Sequence, residues 1–359
     1  MASAGGIRKL LAPRPERAPR GVPLRWVLTA CVFVLTATLL GLALGPVDLG
    51  LAAVGREVLS HFPFLGVESS FSPTQDAILW ELRAPRIALG LLVGAMLASA
   101  GAAYQGVFRN PLADPYLLGA AAGAGLGATV VIAYDVGGSG GADLRPVAAF
   151  VGATLGVGIA YLLGRSVGGR QTTTLILAGV TVAAFLTAVQ TYVQQSSAET
   201  VQEVYSWILG QLETSGWTDV LIVLPYVALS SIVLLWHRRL LDVLAVGDDE
   251  ASSLGVPVAR VRLLVVAAAT LGTAAAVAFS GLIAFVGIIV PHAVRLLVGT
   301  SYRLVLPLSL AFGAGFLVLM DLVARTVVAP AQLPIGVVTA FLGAPFFAFV
   351  LRTTRTVGP

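Results

Sequence analysis

Charge is scarce in this chain. Aspartate, glutamate, lysine and arginine make up 11% of its 359 residues, against about 25% in an ordinary soluble domain. A chain of this length could not clothe a water-facing fold with so few charges. Lysine is nearly missing: Lys9 stands alone, in a proline-punctuated arm rather than behind a glycine-rich loop. A nucleotide P-loop needs its lysine against the β- and γ-phosphates, so this chain is not itself an ATPase. The three histidines, His61, His237 and His292, and the single Cys31 lie too far apart for a His-Glu-x-x-His pair or a Cys/His metal cluster. One cysteine forms no intrachain disulfide, so redox compartment is unreadable from it. No Gly-x-Ser-x-Gly nucleophile elbow occurs. Together these absences leave little room for an enzyme.

What is abundant is apolar sequence. Hydrophobic residues account for 57% of the chain and mean hydropathy is +0.91. Runs close to the length that crosses a bilayer fall at about 26–45, 86–107, 116–134, 146–164, 173–193, 218–236, 261–279, 283–297, 304–327 and 335–351. The eighth is short and is tolerable only where protein surrounds it. An even number of spans puts both termini on one side. With that side cytoplasmic, only Arg56, Arg83, Arg86, Arg145 and Arg325 of the 22 basic residues lie outside, as the positive-inside rule asks. The net charge of +4 is thereby explained by orientation, without a nucleic-acid partner. The arm holding Arg8, Lys9, Arg14, Arg17, Arg20 and Arg25, broken by Pro13, Pro15, Pro19 and Pro23, reads as a cytoplasmic tail beside anionic lipid; a signal peptide is the competing reading. The expected organisation is a tail over 1–25, a ten-span domain over 26–352 with a cytoplasmic segment at 240–262, and a second tail over 353–359. Glycines at Gly90/Gly94, Gly119/Gly123/Gly127 and Gly152/Gly156 have the small-xxx-small spacing of close helix contacts.

Three ordered motifs punctuate the spans. Arg109-Asn110-Pro111-Leu112-Ala113-Asp114-Pro115 carries two prolines four residues apart, which stop one helix and delay the next. The run from Ser280-Gly281-Leu282 through Pro291-His292 to Arg295 is the second, and Leu333-Pro334-Ile335-Gly336 closing on Gly343-Ala344-Pro345 is the third. In the segment after span six, Asp248, Asp249 and Glu250 suit the N-terminus of a short helix, and Gly255 then Pro257 stop it. Such a helix with Leu254 at its end is either a plain surface turn or a docking element. Inside the spans the clear ionisable group is Asp321, with Arg325 one turn on; an i,i+4 pair neutralises itself, which reads as a structural ion pair and not a proton relay.

In these motifs the sequence closely resembles FecCD-type permeases of ABC importers for ferric siderophores, haem and cobalamin, over roughly residues 25–352. The resemblance implies an all-α membrane protein of ten transmembrane helices with type II ABC importer permease architecture. The implied partners are a second permease subunit (the same chain or a close paralogue), a cytoplasmic ABC ATPase dimer that binds the ATP, and an extracytoplasmic substrate-binding protein. No cofactor is implied in the chain itself. The implied location is the plasma membrane of a prokaryote, with both termini cytoplasmic. It further implies ATPase coupling through Asp248, Asp249, Glu250, Leu254 and Gly255. It places a cytoplasmic gate at Asn110, Leu112, Thr172 and Thr173, where ordinary turn chemistry is the alternative. It also implies binding-protein docking on Arg83, Arg86 and Arg325, where interfacial snorkelling is the alternative. The cargo would be a metal chelate, a ferric siderophore first, then cobalamin or haem. An ion-coupled carrier working without an ATPase is the rival reading.

Overall fold

The computed structural model describes residues 21–62, 64, 66–137, 143–166, 172–212 and 216–354; both predicted tails lie largely outside the described residues. Among the described residues every regular element is helical. Seven helices are long and apolar enough to cross a bilayer. They are α1 (Leu24–Ala43), α3 (Pro73–Phe108), α5 (Arg145–Ser166), α6 (Thr172–Ser196), α8 (Trp217–Leu244), α10 (Val258–Ser280) and α12 (Tyr302–Thr326). Three shorter apolar helices accompany them: α4 (Ala120–Ala133), α11 (Val286–Val298) and α13 (Ile335–Thr354). Short α2 (Leu51–Ser60) and α7 (Val201–Ile208) lie between spans, and α9 (Asp248–Ser253) sits between α8 and α10.

The bundle is organised around α3. Within its apolar window 83% of residues are buried, against 28% in α1; α1, α8, α10, α11 and α12 pack on α3, while α4, α5 and α6 pack on one another and reach the bundle through α10. Helices α10 and α12 share that interior. Because lipid is as apolar as the side chains, closeness must come from shape, and glycine supplies it. A Cβ on Gly94 would stand 2.3 Å from the Gly313 carbonyl oxygen of α12, and one on Gly101 would stand 2.0 Å from that of Gly287 in α11. Gly123 of α4 meets Gly152 of α5 in the same way, at 2.1 Å. Of the glycines whose spacing was read from the sequence, Gly94, Gly123, Gly127, Gly152 and Gly156 make backbone contacts, whereas Gly90 meets only side chains of Leu212 and Val318.

The starts of two spans differ by four residues or more from those expected, and α8 runs on to Leu244 instead of ending near 236. Helix α3 does not start after Pro85: it begins at Pro73, opened by a capping box in which the Gln75 amide donates to Ser72 Oγ at 3.3 Å and the Ser72 amide to Gln75 Oε1 at 3.0 Å. It passes Pro85 through a π turn at Ile78–Arg83. The wider turn accommodates the missing amide and the bulk of the ring that would break a regular helix. Arg83 and Arg86 are consequently helical rather than in a flanking loop. Helix α4 in turn begins four residues later than expected, because residues 110–119 form successive turns, closed by Ala113 N to Asn110 O, Leu117 N to Asp114 O and Gly119 N to Tyr116 O, each at 3.0 Å.

A helix break inside the bundle is satisfied by neighbouring chain. Between α10 and α11, Gly281 has φ 64 and Phe285 φ 70. The Ser280 carbonyl accepts from Gln211 N at 2.8 Å; the Gly210 and Leu209 carbonyls accept from Ile335 N and Gly336 N, each at 3.1 Å. The ends of α7 and α10 and the start of α13 thus pair where no helix pairs for them, as a low-dielectric interior requires.

The glycine contacts yield a paired expectation. Gly101→Ala should destabilise the protein by about 1–3 kcal/mol or more, because backbone stands where the methyl must go. Gly158→Ala, where nothing lies within 4 Å of the new Cβ, should be neutral or stabilising by up to about 1 kcal/mol. Thermal unfolding of both variants in detergent measures the difference; equal melting would contradict the packing described.

Candidate functional site

The polar groups collect at the two ends of α3. At its Arg86 end, Asp321 of α12 is buried and bound twice. Arg86 donates from NH2 to Asp321 Oδ1 at 2.8 Å and from Nε at 3.0 Å, and Arg325 Nε stands 2.9 Å from Oδ2. Arg83, also buried, points its guanidinium at the C-terminus of α1. It donates to Leu42 O at 2.7 Å, to Ala43 O at 2.9 Å and to Val47 O. A helix C-terminus presents unpaired carbonyls and partial negative charge, so Arg83 caps α1. Arg325 adds a bond to Gly41 O at 3.2 Å. All three arginines nevertheless line one cavity of about 570 Å³, together with Leu82, Leu212 and Gln332. Three guanidinium groups line the cavity against the carboxylates of Asp321 and, beside Arg83, Asp48, which leaves that mouth net positive. The arginines are thus brought together, but sunk into the wall rather than spread on a surface.

At the other end, α9 rests against the bundle through buried Ala251 and turns Asp249, Glu250, Leu254 and Gly255 outward. Gly247 (φ 152) and Gly255 (φ 83) take backbone conformations that favour glycine at its two ends. Asp248 is held from the bundle side by Arg262 NH2 at 2.9 Å and from Arg109 NH2 at 3.5 Å. Leu254 is 71% exposed, an apolar side chain beside acids with no cover from its own chain.

The segment after α3 is closely held. Arg109 sits at φ 50, and Asn110 Oδ1 accepts from Leu112 N at 2.9 Å, so Asn110 stabilises its own turn while Leu112 projects outward. Burial pushes the Asp114 carboxyl up to about 6, although the Tyr116 amide donates to it at 2.8 Å. Thr173 is exposed in the first turn of α6; the side chain of Thr172 lies outside the described residues. The two segments approach farther in, where a Cβ on Gly179 of α6 would lie 2.5 Å from the Leu117 carbonyl oxygen.

Several residues of these ends were not singled out from the sequence. Gln105 of α3 donates from Nε2 to Gly287 O at 2.9 Å and Ala113 O at 3.2 Å. Tyr116 donates its hydroxyl to Ile283 O at 3.1 Å and accepts from Ile283 N at 3.2 Å. Asp242, at the end of α8, takes Ser301 Oγ at 2.9 Å, Tyr302 N at 2.5 Å and Arg303 Nε at 3.3 Å. Apart from Ala113, eight residues from Gln105, each partner is far away in sequence, and a lone Gln or Tyr at the edge of an apolar run carries no local signal.

The chain is thus a bundle of membrane-length helices with a break between α10 and α11, its charged groups gathered toward the two ends and a short exposed helix at one of them. The profile of the FecCD transport family matches residues 32–353, and the chain belongs to that family. It is 43% identical over 283 residues to the cobalamin import system permease protein BtuC of Halobacterium salinarum, covering 78% of this chain and 74% of that one. It is 36% identical over 324 residues to the hemin transport system permease protein HmuU of Yersinia pestis, covering 88% and 92%. Among solved structures, an inward-facing metal-chelate-type ABC transporter superposes with a TM-score of 0.78 at 30% identity, covering 92% of this chain and all of that one. The protein is therefore a multi-pass plasma-membrane permease of an ABC importer, and ATP hydrolysis belongs to a separate subunit.

The buried carboxylate dictates a stability test. Asp321→Asn leaves two guanidinium groups without their counter-charge and should cost about 3–5 kcal/mol, as breaking a buried pair does. Arg86→Gln should cost less, since the Arg86 side chain is 17% exposed. Melting of the detergent-solubilised variants ranks them; an unshifted Asp321→Asn would contradict the clamp.

Proposed function

We propose that this permease moves a metal chelate into the cytoplasm by alternating access, as one of two permease subunits around a central path, with a ferric siderophore the first candidate cargo and cobalamin or haem the next. On this reading the three shorter apolar helices complete ten membrane passages, both termini and α9 face the cytoplasm, and the arginine-lined mouth faces outward. A cargo that brings its metal already caged needs no metal ligands from the path. The segments at Asn110–Leu112 and Thr172–Thr173 serve as the cytoplasmic gate. The net-positive mouth offers Arg86 to acidic side chains of the external binding protein, with the buried Arg325 behind it on Asp321 adding to the positive field. Arg83 supports this surface by holding α1 in place. Because Asp321 is already paired with two arginines, it is poorly suited to carry protons, which disfavours an ion-coupled carrier.

The observation that carries the reading is α9: acids Asp249 and Glu250 and the exposed Leu254 on a helix anchored through Ala251 and Asp248. Such a surface suits a cleft in a cytoplasmic ATPase, the acids meeting basic groups and Leu254 filling an apolar pocket. Burial of a leucine contributes about 1.5–3 kcal/mol, and a buried unpaired carboxylate reverses the sign. Leu254→Asp should therefore abolish copurification of the ATPase and binding-protein-stimulated ATP hydrolysis. The permease itself should melt within about 0.5 kcal/mol of wild type, as a surface substitution does. Retention of the ATPase by the variant would place the contact elsewhere.

A further inference from the structure

Arg109 belongs to neither the docking surface nor the gate, yet its backbone is strained. It takes the left-handed conformation, φ 50, at the C-terminal cap of α3, a position where glycine is favoured and other side chains are disfavoured sterically. The side chain retained there reaches Asp248, the first residue of α9, at 3.5 Å. Asp248 is gripped on its other flank by Arg262 at 2.9 and 3.0 Å, and Arg262 is buried at the start of α10. Asp248 thus stands between a guanidinium fixed in the bundle and one borne on the segment that turns toward α4.

From Arg109 the polar contacts continue inward. Gln105, one turn before it, joins Ala113 of that segment to Gly287 at the head of α11. Tyr116, at the segment's far end, bonds both backbone groups of Ile283 in the break between α10 and α11. Pro115 packs on Gly287, where a Cβ would lie 2.7 Å from the ring. The gate segment is therefore held to α9 at one end and to the break at the other.

We propose that Arg109 and Asp248 form the joint that carries displacement of α9 to the gate segment, with Arg262 as its fixed side. The proposal rests on α9 being the ATPase contact and residues 110–112 being part of the gate. Both joint residues are partly exposed, their side chains at 41% and 33%, so the pair is weak and open to screening. That suits a contact reset in every transport cycle. Arg109 and Asp248 act as positioning residues: neither needs to touch cargo.

The test uses the assembled permease, ATPase and binding protein in proteoliposomes and reads how strongly unloaded binding protein stimulates ATP hydrolysis. Arg109→Gln should keep the ATPase bound, because the outward face of α9 is unaltered, and reduce stimulation about two- to fivefold, the range open to an exposed ion pair. Arg109→Lys should restore most of it. The double variant Arg109→Gln/Asp248→Asn should be no worse than Asp248→Asn alone, since coupled residues are non-additive. Raised salt should lower stimulation more steeply in wild type than in Arg109→Gln, because the docking contacts are screened in both and the joint only in wild type. Full stimulation in Arg109→Gln, or losses that multiply in the double variant, would overturn the joint. If Leu254→Asp keeps its ATPase, the docking reading fails instead; if it loses the ATPase while Arg109→Gln stays fully stimulated, only the joint fails.

Discussion

The fold depends on satisfying backbone polar groups where no water is available. Regular helices do so internally, which is why an apolar chain of this composition is a helical bundle at all. The demand is sharpest at the break over Gly281–Phe285, beside α3. There the carbonyls of Leu209, Gly210 and Ser280 accept from the amides of Gly336, Ile335 and Gln211 respectively. Tyr116 supplies a side chain to Ile283. Three distant stretches of chain can meet at one point because Gly210, Gly281 and Gly336 bring backbone against backbone, with no room for a Cβ. A chain interrupted in this way has a place to bend that an unbroken span lacks, and bistable packing is what alternating access requires.

Charge follows the same constraint. The few ionised groups of the described bundle are used at its ends. At the Arg86 end, Asp321 neutralises part of a cationic cluster, and Arg83 closes the carbonyl terminus of α1. At the α9 end, Asp248 and Asp242 fasten neighbouring helix termini. On the proposed reading these two polar ends are where a binding protein and an ATPase are met, with apolar surface between them.

Much of this was legible in the sequence because it is local. Apolar runs announced the spans, small-residue spacing announced Gly94, Gly123 and Gly152 as contact points, and Asp248-Asp249-Glu250 with Gly255 announced a short acidic helix. What was not legible is long-range. The apolar run over 86–107 did not show the helix reaching back to Pro73, since nothing nearby shows that a π turn would carry it past Pro85. Arg83 looked like a surface cation, because its partners, the last carbonyls of α1, lie some 40 residues earlier. Arg109 looked featureless until α9 was seen to lie within its reach. Gln105 and Tyr116 sit in apolar surroundings and gain meaning only from the carbonyls opposite them.

Transport by this permease depends on ATP hydrolysed by a separate subunit. Uptake by sealed proteoliposomes tests it most directly, with the permease reconstituted either alone under a proton or sodium gradient or together with its ATPase, its binding protein and internal ATP. A panel of ferric hydroxamate, cobalamin and hemin serves as cargo. The account predicts that one of these accumulates only in the complete system with ATP, and that the gradient alone moves none. Accumulation by the isolated permease under an ion gradient would contradict it.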